Sequence, residues 1–252
     1  MRNPFPRMME LPTFSSESSL GKFVRFPLRL VPPEMVVPVL TGNLRGKRWI
    51  VGSSIHRCWL GFYEREKQRL VSKEVHTNTV FYDIGANVGF YTLLASKLVD
   101  SGKVFAFEPA PRNLAYLRRH LELNSCSNVE VLAFAVSDKN GVTGFEVEPS
   151  GLVGHLSNDG SIKVQTLTLD SLVQAGRILP PDYIKMDIEG AELIALQGAS
   201  ETIQRYQPMI FLATHGTEVH LGCRQLFESW GYECELVSGQ ASEIVARSKF
   251  PR

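Results

Sequence analysis

Asp83, Gly85, Asn87 and Gly89 all fall within one stretch, VFYDIGANVGFYTLLAS, residues 80–96. A carboxylate, an amide and two glycines set into an apolar run suit a loop that receives a small polar ligand. The glycines let the backbone turn and come close to a ligand or a neighbouring element. The spacing departs from the dinucleotide fingerprint G-x-G-x-x-G, because Asn87 stands where the second glycine would let a pyrophosphate approach. Glu108 ends the next apolar run, KVFAFEP, where a carboxylate can accept two hydrogen bonds from ribose hydroxyls. Asp83 and Glu108 on neighbouring strand ends, with Ala86 and Pro109 beside them, suit an adenosine that carries a positively charged tail. S-adenosylmethionine has both parts. A third run ends in AVSD, so Val136 and Ser137 are expected to flank the adenine, although Ser137–Asp138 also reads as a plain turn.

A second chemistry-bearing stretch is IKMDIEGAE. Lys185 and Asp187 alternate onto one side of a strand, and Asp187 falls at its end, placed to touch cofactor, bind a metal or take a proton. Glu189 and Glu192 open a helix, where negative charge is stabilised by the helix dipole. Glu192 reads as a first-turn residue, while Glu189 is divided between capping and the site. His215 ends the run PMIFLATHG and is the expected general base, with Asp187 as its orienting or cofactor-edge partner. Tyr63, Glu64, Lys185 and Glu189 are the candidate substrate contacts. His56, His155 and His220 are weaker ones, and His155 sits on a loop at 149–161 that could act as a lid. No metal ligands are assigned: a Mg²⁺ site would need carboxylate or amide ligands after the fifth strand, and LATHG has no Asp or Asn. Arg45, Lys47 and Arg48 read as a solvated basic face.

These residues need elements to hold them. From residue 79 strands and helices alternate: TVFYDIG, then NVGFYTLLASKLVD; KVFAFEP, then APRNLAYLRRHLELN; VEVLAFAVSD as a third strand. PDYIKMDIEG is a fourth, AELIALQGASETIQRY a helix, PMIFLATHG a fifth strand and TEVHLGCRQLFESWG a helix. That rhythm predicts a doubly wound α/β fold, a mostly parallel sheet with helices on both faces and ligands outside the strands' carboxyl ends. YECELVSG and EIVARSKF are expected to close it as an antiparallel hairpin. Residues 139–163 break the rhythm as a short β excursion with a Gly/Ser loop. Residues 1–20, rich in Pro and Ser, read as a disordered tail. Residues 21–78 read as an N-terminal cap, with CWLGFYEREKQRLVSKEV helical, and 79–252 as the main domain.

Bulk properties narrow the classes. The 252 residues are 44% hydrophobic and 21% charged, with a formal net charge of +1. This argues against a broad electrostatic footprint for nucleic acid or acidic membrane. The four cysteines have no CxxC pair and no zinc-ligand spacing. No apolar run reaches the length of a membrane span, and the start lacks a signal-peptide h-region. The expected location is the cytoplasm.

DIGANVGFYTLLAS, VFAFEPAPRNLAYLRRHLELN, AVSD, TLDSL and DYIKMDIEGAELIALQGA, in this order and spacing, resemble the FkbM family of S-adenosylmethionine-dependent methyltransferases. The resemblance covers roughly residues 79–215. It implies a class I methyltransferase (Rossmann-like) fold, a seven-stranded sheet whose last strand is antiparallel, and O-methylation of a sugar hydroxyl or natural-product intermediate. Carried over, Asp83, Gly85, Asn87, Gly89 and Glu108 match the cofactor motifs. The expected acceptor is a small molecule or carbohydrate, with no nucleic acid: the D/N-P-P-Y/F motif of amino-methylating enzymes is replaced by DIEG, and PPDY at 180–183 lies at the wrong end of its strand. A non-catalytic S-adenosylmethionine-binding protein and an NAD-dependent oxidoreductase are the competing readings.

Overall fold

A computed structural model describes residues 30–148, 154–157, 159–237 and 242–250. The expected tail at 1–20 lies outside them, as do 149–153 and 158 of the expected lid. The N-terminal segment begins with an antiparallel pair, Val36–Pro38 (β1) and Arg48–Ile50 (β2), followed by the helices His56–Leu60 (α1) and Arg65–Glu74 (α2). One helix was expected across these last two. Gly61 ends α1 in the left-handed region at φ +84, and a Cβ there would lie 2.0 Å from the Thr41 carbonyl oxygen. The segment is sewn into the rest of the chain through Trp49, which stacks on His120 at 4.0 Å between ring centroids. The Ile50 N–H donates to His120 Nε2 at 3.0 Å. Burial pushes the His120 imidazole down to about 4, so it stays a neutral acceptor for that bond.

The main sheet starts with Val80–Ile84 (β3), whose side chains are buried on both faces, as a central parallel strand requires. Phe90–Val99 (α3) leads to Lys103–Phe107 (β4), and Pro111–Leu123 (α4), with proline at its first position, leads to Val129–Leu132 (β5). A smaller sheet follows, built from Ala135–Val136 (β6), Gly141–Val147 (β7), Gly154–Leu156 (β8) and Ile162–Leu167 (β9) in the order β6-β9-β7-β8. Leu169–Gln174 (α5) returns the chain to Tyr183–Met186 (β10). Glu192–Gln197 (α6), Ser200–Tyr206 (α7), Met209–Ala213 (β11), Thr217–Ser229 (α8), Tyr232–Leu236 (β12) and Glu243–Ser248 (β13) complete it. The large sheet has seven strands in the order β12-β13-β11-β10-β3-β4-β5. β13 is antiparallel to both of its neighbours, and β11, β10, β3, β4 and β5 run parallel.

Two expected elements are divided. The third strand stops at Leu132, and β6 leaves the large sheet to pair with β9. Phe134, between them, packs its ring against Phe107 at 5.7 Å. The helix expected over 191–206 is two helices: the Gly198 carbonyl accepts the Asp170 N–H at 3.1 Å, and the Asp170 carboxylate accepts the Glu201 and Thr202 N–H groups that start the second. The chain steps from β3 outward through β4 to β5, then returns to place β10 on the opposite side of β3. The strand ends that diverge at this switch carry Gly85 and Asp187, the place where ligands of doubly wound sheets bind.

Candidate active site

A cavity of about 250 Å³ opens beyond the ends of β3, β4 and β10. Gly85, Ala86, Asn87, Glu108, Pro109 and Val136 line it, all six expected from the sequence. Tyr63, Lys185, Asp187 and Glu189 line it as well. Gly85 is demanded twice: its φ is +77, and a Cβ would lie 2.0 Å from the Asp187 carbonyl oxygen. Gly89, also expected beside the cofactor, lies outside the lining; at φ +95 it starts α3 close against Leu117.

Glu108 is almost fully buried. Its Oε2 accepts the Asn87 N–H at 2.8 Å and its Oε1 the Ala110 N–H at 2.8 Å, so it clamps the two strand-end loops together. The Asn113 side chain also bonds to it. A carboxylate has about four lone-pair sites; with three engaged, about one remains for a ligand hydroxyl, where two were expected. Burial pushes the Glu108 carboxyl up to about 7, against the opposing pull of these hydrogen bonds.

Three expected contacts sit one layer back. Asp83 is fully buried and does not line the cavity. Its Oδ2 accepts from Thr92 Oγ1 at 2.6 Å and its Oδ1 faces Lys185 Nζ at 3.4 Å. Lys185 in turn donates to the Gly85 carbonyl at 3.0 Å, so Asp83 fixes the glycine turn through this lysine. Ser137 is buried away from the cavity, its hydroxyl on Asp138 at 3.1 Å. Glu64 is also absent from the lining; it accepts from the Tyr91 hydroxyl at 2.9 Å. Of the lesser histidines, His56 accepts the Trp59 indole N–H and His220 bonds Thr214, both structural roles.

His215 is also corrected. It stands behind Asp187, outside the lining, with Nδ1 2.9 Å from Glu192 Oε1 and Nε2 3.3 Å from Glu189 Oε2 and 3.8 Å from Asp187 Oδ1. Glu192 is fully buried and also accepts the Ile188 and Gly190 N–H groups, each at 3.1 Å. The Glu192 hydrogen bond, reinforced by Glu189 and Asp187, raises the imidazole to about 9. At neutral pH it is therefore a cation already, not a vacant base. Asp187, Glu189 and His215 also place three ligand-type atoms within 4.8 Å of one another, and here the imidazolium itself supplies the positive charge between the carboxylates. The His215 proton is bound more tightly in the folded chain, so its contribution is complete below about 6.5 and is lost as pH rises towards 9. Melting curves across that window should fall more steeply for the parent chain than for His215→Gln; identical slopes would remove His215 as the cause.

Sequence reading missed Lys67, which is 1% exposed and contacts Asp187 from α2. It also missed the aromatic walls Tyr91, Phe134 and Phe145, which line the cavity. Only the apolar character of these rings was visible.

A family model described as "Methyltransferase FkbM domain" matches residues 83–234. The chain belongs to the FkbM methyltransferase family. Two curated relatives are similar to it. The hexuronic acid methyltransferase AglP of Haloferax volcanii is 30% identical over 161 residues, covering 63% of this chain and 63% of that protein. The 2-O-methyltransferase NoeI of Sinorhizobium fredii is 29% identical over 158 residues, covering 55% of this chain and 64% of that protein. Each match thus spans less than two thirds of the relative's own length. The crystal structure of the methyltransferase FkbM from Methylobacillus flagellatus aligns with a TM-score of 0.52 at 21% identity, over 68% of this chain and 43% of that one. It shares the class I methyltransferase-like α/β fold. Among the described residues, no helix of this FkbM-family chain is long and apolar enough to cross a membrane.

Proposed function

We propose that the protein transfers a methyl group from S-adenosylmethionine to a hydroxyl of a neutral sugar or similar small polyol. The observation that carries this reading is the pairing, across one cavity, of the buried Glu108 clamp at one strand end with Asp187 and its cations at another. The donor set fits the cofactor: a carboxylate for ribose, a side-chain-free Gly85 turn, aromatic walls for an adenine face, and a surplus of negative charge. Lys67, Lys185 and His215 are the basic groups joined to six carboxylates: Asp83, Asp187, Glu64, Glu189, Glu192 and Glu243. Such a balance favours a cationic ligand and disfavours an anionic acceptor.

When bound, S-adenosylmethionine supplies an electrophilic methyl on a sulfonium. The chain's own task is to align the acceptor oxygen with that methyl and to exclude water. Burial acts to raise the Asp187 carboxyl, but Lys185, Lys67 and His215 outweigh it and hold it below its ordinary value. It is therefore an ionised acceptor for the sugar hydroxyl's hydrogen, orienting the oxygen lone pair and stabilising positive charge that develops on the oxygen. The printed name of one relative, a hexuronic acid methyltransferase, supports a carbohydrate acceptor, though of the acidic kind that the charge balance here disfavours, and that of the other, a 2-O-methyltransferase, supports transfer to oxygen. A small-molecule rather than nucleic-acid acceptor, and a cytoplasmic location, belong to the same proposal. The test is labelled-methyl transfer from S-adenosylmethionine over matched neutral and uronic methyl glycosides. Label is expected in the neutral members; label confined to the uronic members would overturn the acceptor assignment.

A further inference from the structure

Two buried charged residues that brace Asp187 lie outside the matched residues 83–234. Lys67, on α2, has its ammonium 2.8 Å from Glu243 Oε1, 3.5 Å from Glu64 Oε2 and 3.7 Å from Asp187 Oδ2. Glu243 is the first residue of β13, the strand wedged between β11 and β12. Burying an ammonium costs several kcal/mol unless partners and hydrogen bonds compensate. One carboxylate would neutralise it, yet the fold collects three from three separate places. Of the three, only Asp187 lines the cavity. The Tyr91 ring, 5.6 Å from Lys67 Nζ and also part of the lining, closes the junction on the ligand side, with its hydroxyl held by Glu64.

We propose that Lys67 and Glu243 are positioning residues for methyl transfer: Lys67 keeps the Asp187 carboxylate ionised and fixed at the cavity wall, and Glu243 fixes Lys67. The proposal rests on the role given to Asp187 above. It makes the N-terminal segment and the antiparallel strand parts of the site instead of packing around it. Lys67 acts through Asp187 and does not itself reach the acceptor. The charged and titratable groups facing Asp187 are Lys67 from α2, Lys185 from β10, His215 beyond β11, Glu189 before α6, Glu243 from β13 and Tyr63 from the loop before α2.

The deciding experiment titrates Asp187 by ¹³C NMR in protein carrying carboxyl-labelled aspartate, its signal assigned with Asp187→Asn. S-adenosylmethionine affinity is measured alongside by calorimetry. Lys67→Gln should move the Asp187 titration up by about one pH unit or more, since an opposite charge is removed. Lys67→Arg should restore most of it. Glu243→Gln should move it in the same direction but by less, because the ammonium loses the carboxylate that fixes it beside Asp187. This second variant keeps the buried lysine paired and carries the measurement if Lys67→Gln does not fold. Cofactor affinity in both is expected within about threefold of the parent, since neither residue lines the cavity. An Asp187 titration unmoved by either substitution, or moved down by Glu243→Gln, overturns the positioning role. A parent chain that folds and titrates but binds no S-adenosylmethionine overturns the functional reading instead, so the two failures are separable.

Discussion

A Glu108→Ala chain is expected to bind S-adenosylmethionine about 100-fold more weakly than the parent, or worse, a loss of roughly 3 kcal/mol. The side chain does two jobs at once. It offers a lone pair to the ligand, and it holds the Asn87 and Ala110 N–H groups that set the two loops on either side of the cavity. Truncation leaves both donors buried without this acceptor, so loop geometry and ligand contact are lost together. Glu108→Gln should be nearly as damaging: an amide has one acceptor oxygen, and its NH₂ would confront one of the two backbone donors. The parent's affinity should itself depend on pH. With the carboxyl pushed up to about 7, the ionised form that accepts these bonds is depleted as pH falls through neutrality, and binding should weaken in that direction. For stability the sign is opposite. A carboxyl raised in the folded chain retains a proton that the unfolded chain has released, so its ionisation costs stability between about 4.5 and 7. Calorimetric titrations of the variants at several pH values check all of this, and a flat affinity across pH 6–8 with unchanged binding by Glu108→Ala would remove Glu108 from the cofactor site.

Asp187→Asn should lower turnover by about three orders of magnitude while changing S-adenosylmethionine affinity by less than about tenfold, since removal of charge stabilisation at a reacting oxygen costs on that scale. The substitution is isosteric, so the cavity keeps its shape. What changes is that Lys67, Lys185 and the His215 imidazolium lose the carboxylate they have in common. The amide can still accept a hydrogen bond from a sugar hydroxyl, but it cannot stabilise charge on an oxygen that is losing its proton. Single-turnover transfer of labelled methyl, compared with calorimetric affinity, separates the two effects. Equal losses in both would place Asp187 in cofactor binding alone.

Asp83, Gly85, Asn87, Glu108 and Asp187 could be located from sequence because each lies at or just beyond the end of a run of buried strand residues, and the β/α rhythm then says which end of the sheet it occupies. Gly85 could even be read for its conformation. The roles were less visible. Asp83 and Ser137 were read as ligand contacts since strand ends point at ligands, but whether a side chain stops at a neighbour first depends on packing: Lys185 takes Asp83, and the small sheet with α6 covers Ser137. His215 was read as a base because it closes β11; its protonation is decided by Glu192, a helix residue whose burial no local pattern reveals. Lys67 was the least legible. In the run EREKQR a lysine is one of five charged residues and reads as solvated; its inward partners include Asp187 and Glu243, the latter 176 positions later.

That distance in sequence bears on the order in which the chain acquires competence. Contacts between remote segments close after local ones, since more chain must be ordered before they form. The Glu108 clamp joins residues at most 21 positions apart. The Lys67–Glu243 bond needs an element from before the sheet and the last strand of it. The support of Asp187 by Lys67 and Glu243 is therefore expected to be the last part of the site to form, after the turn and the clamp.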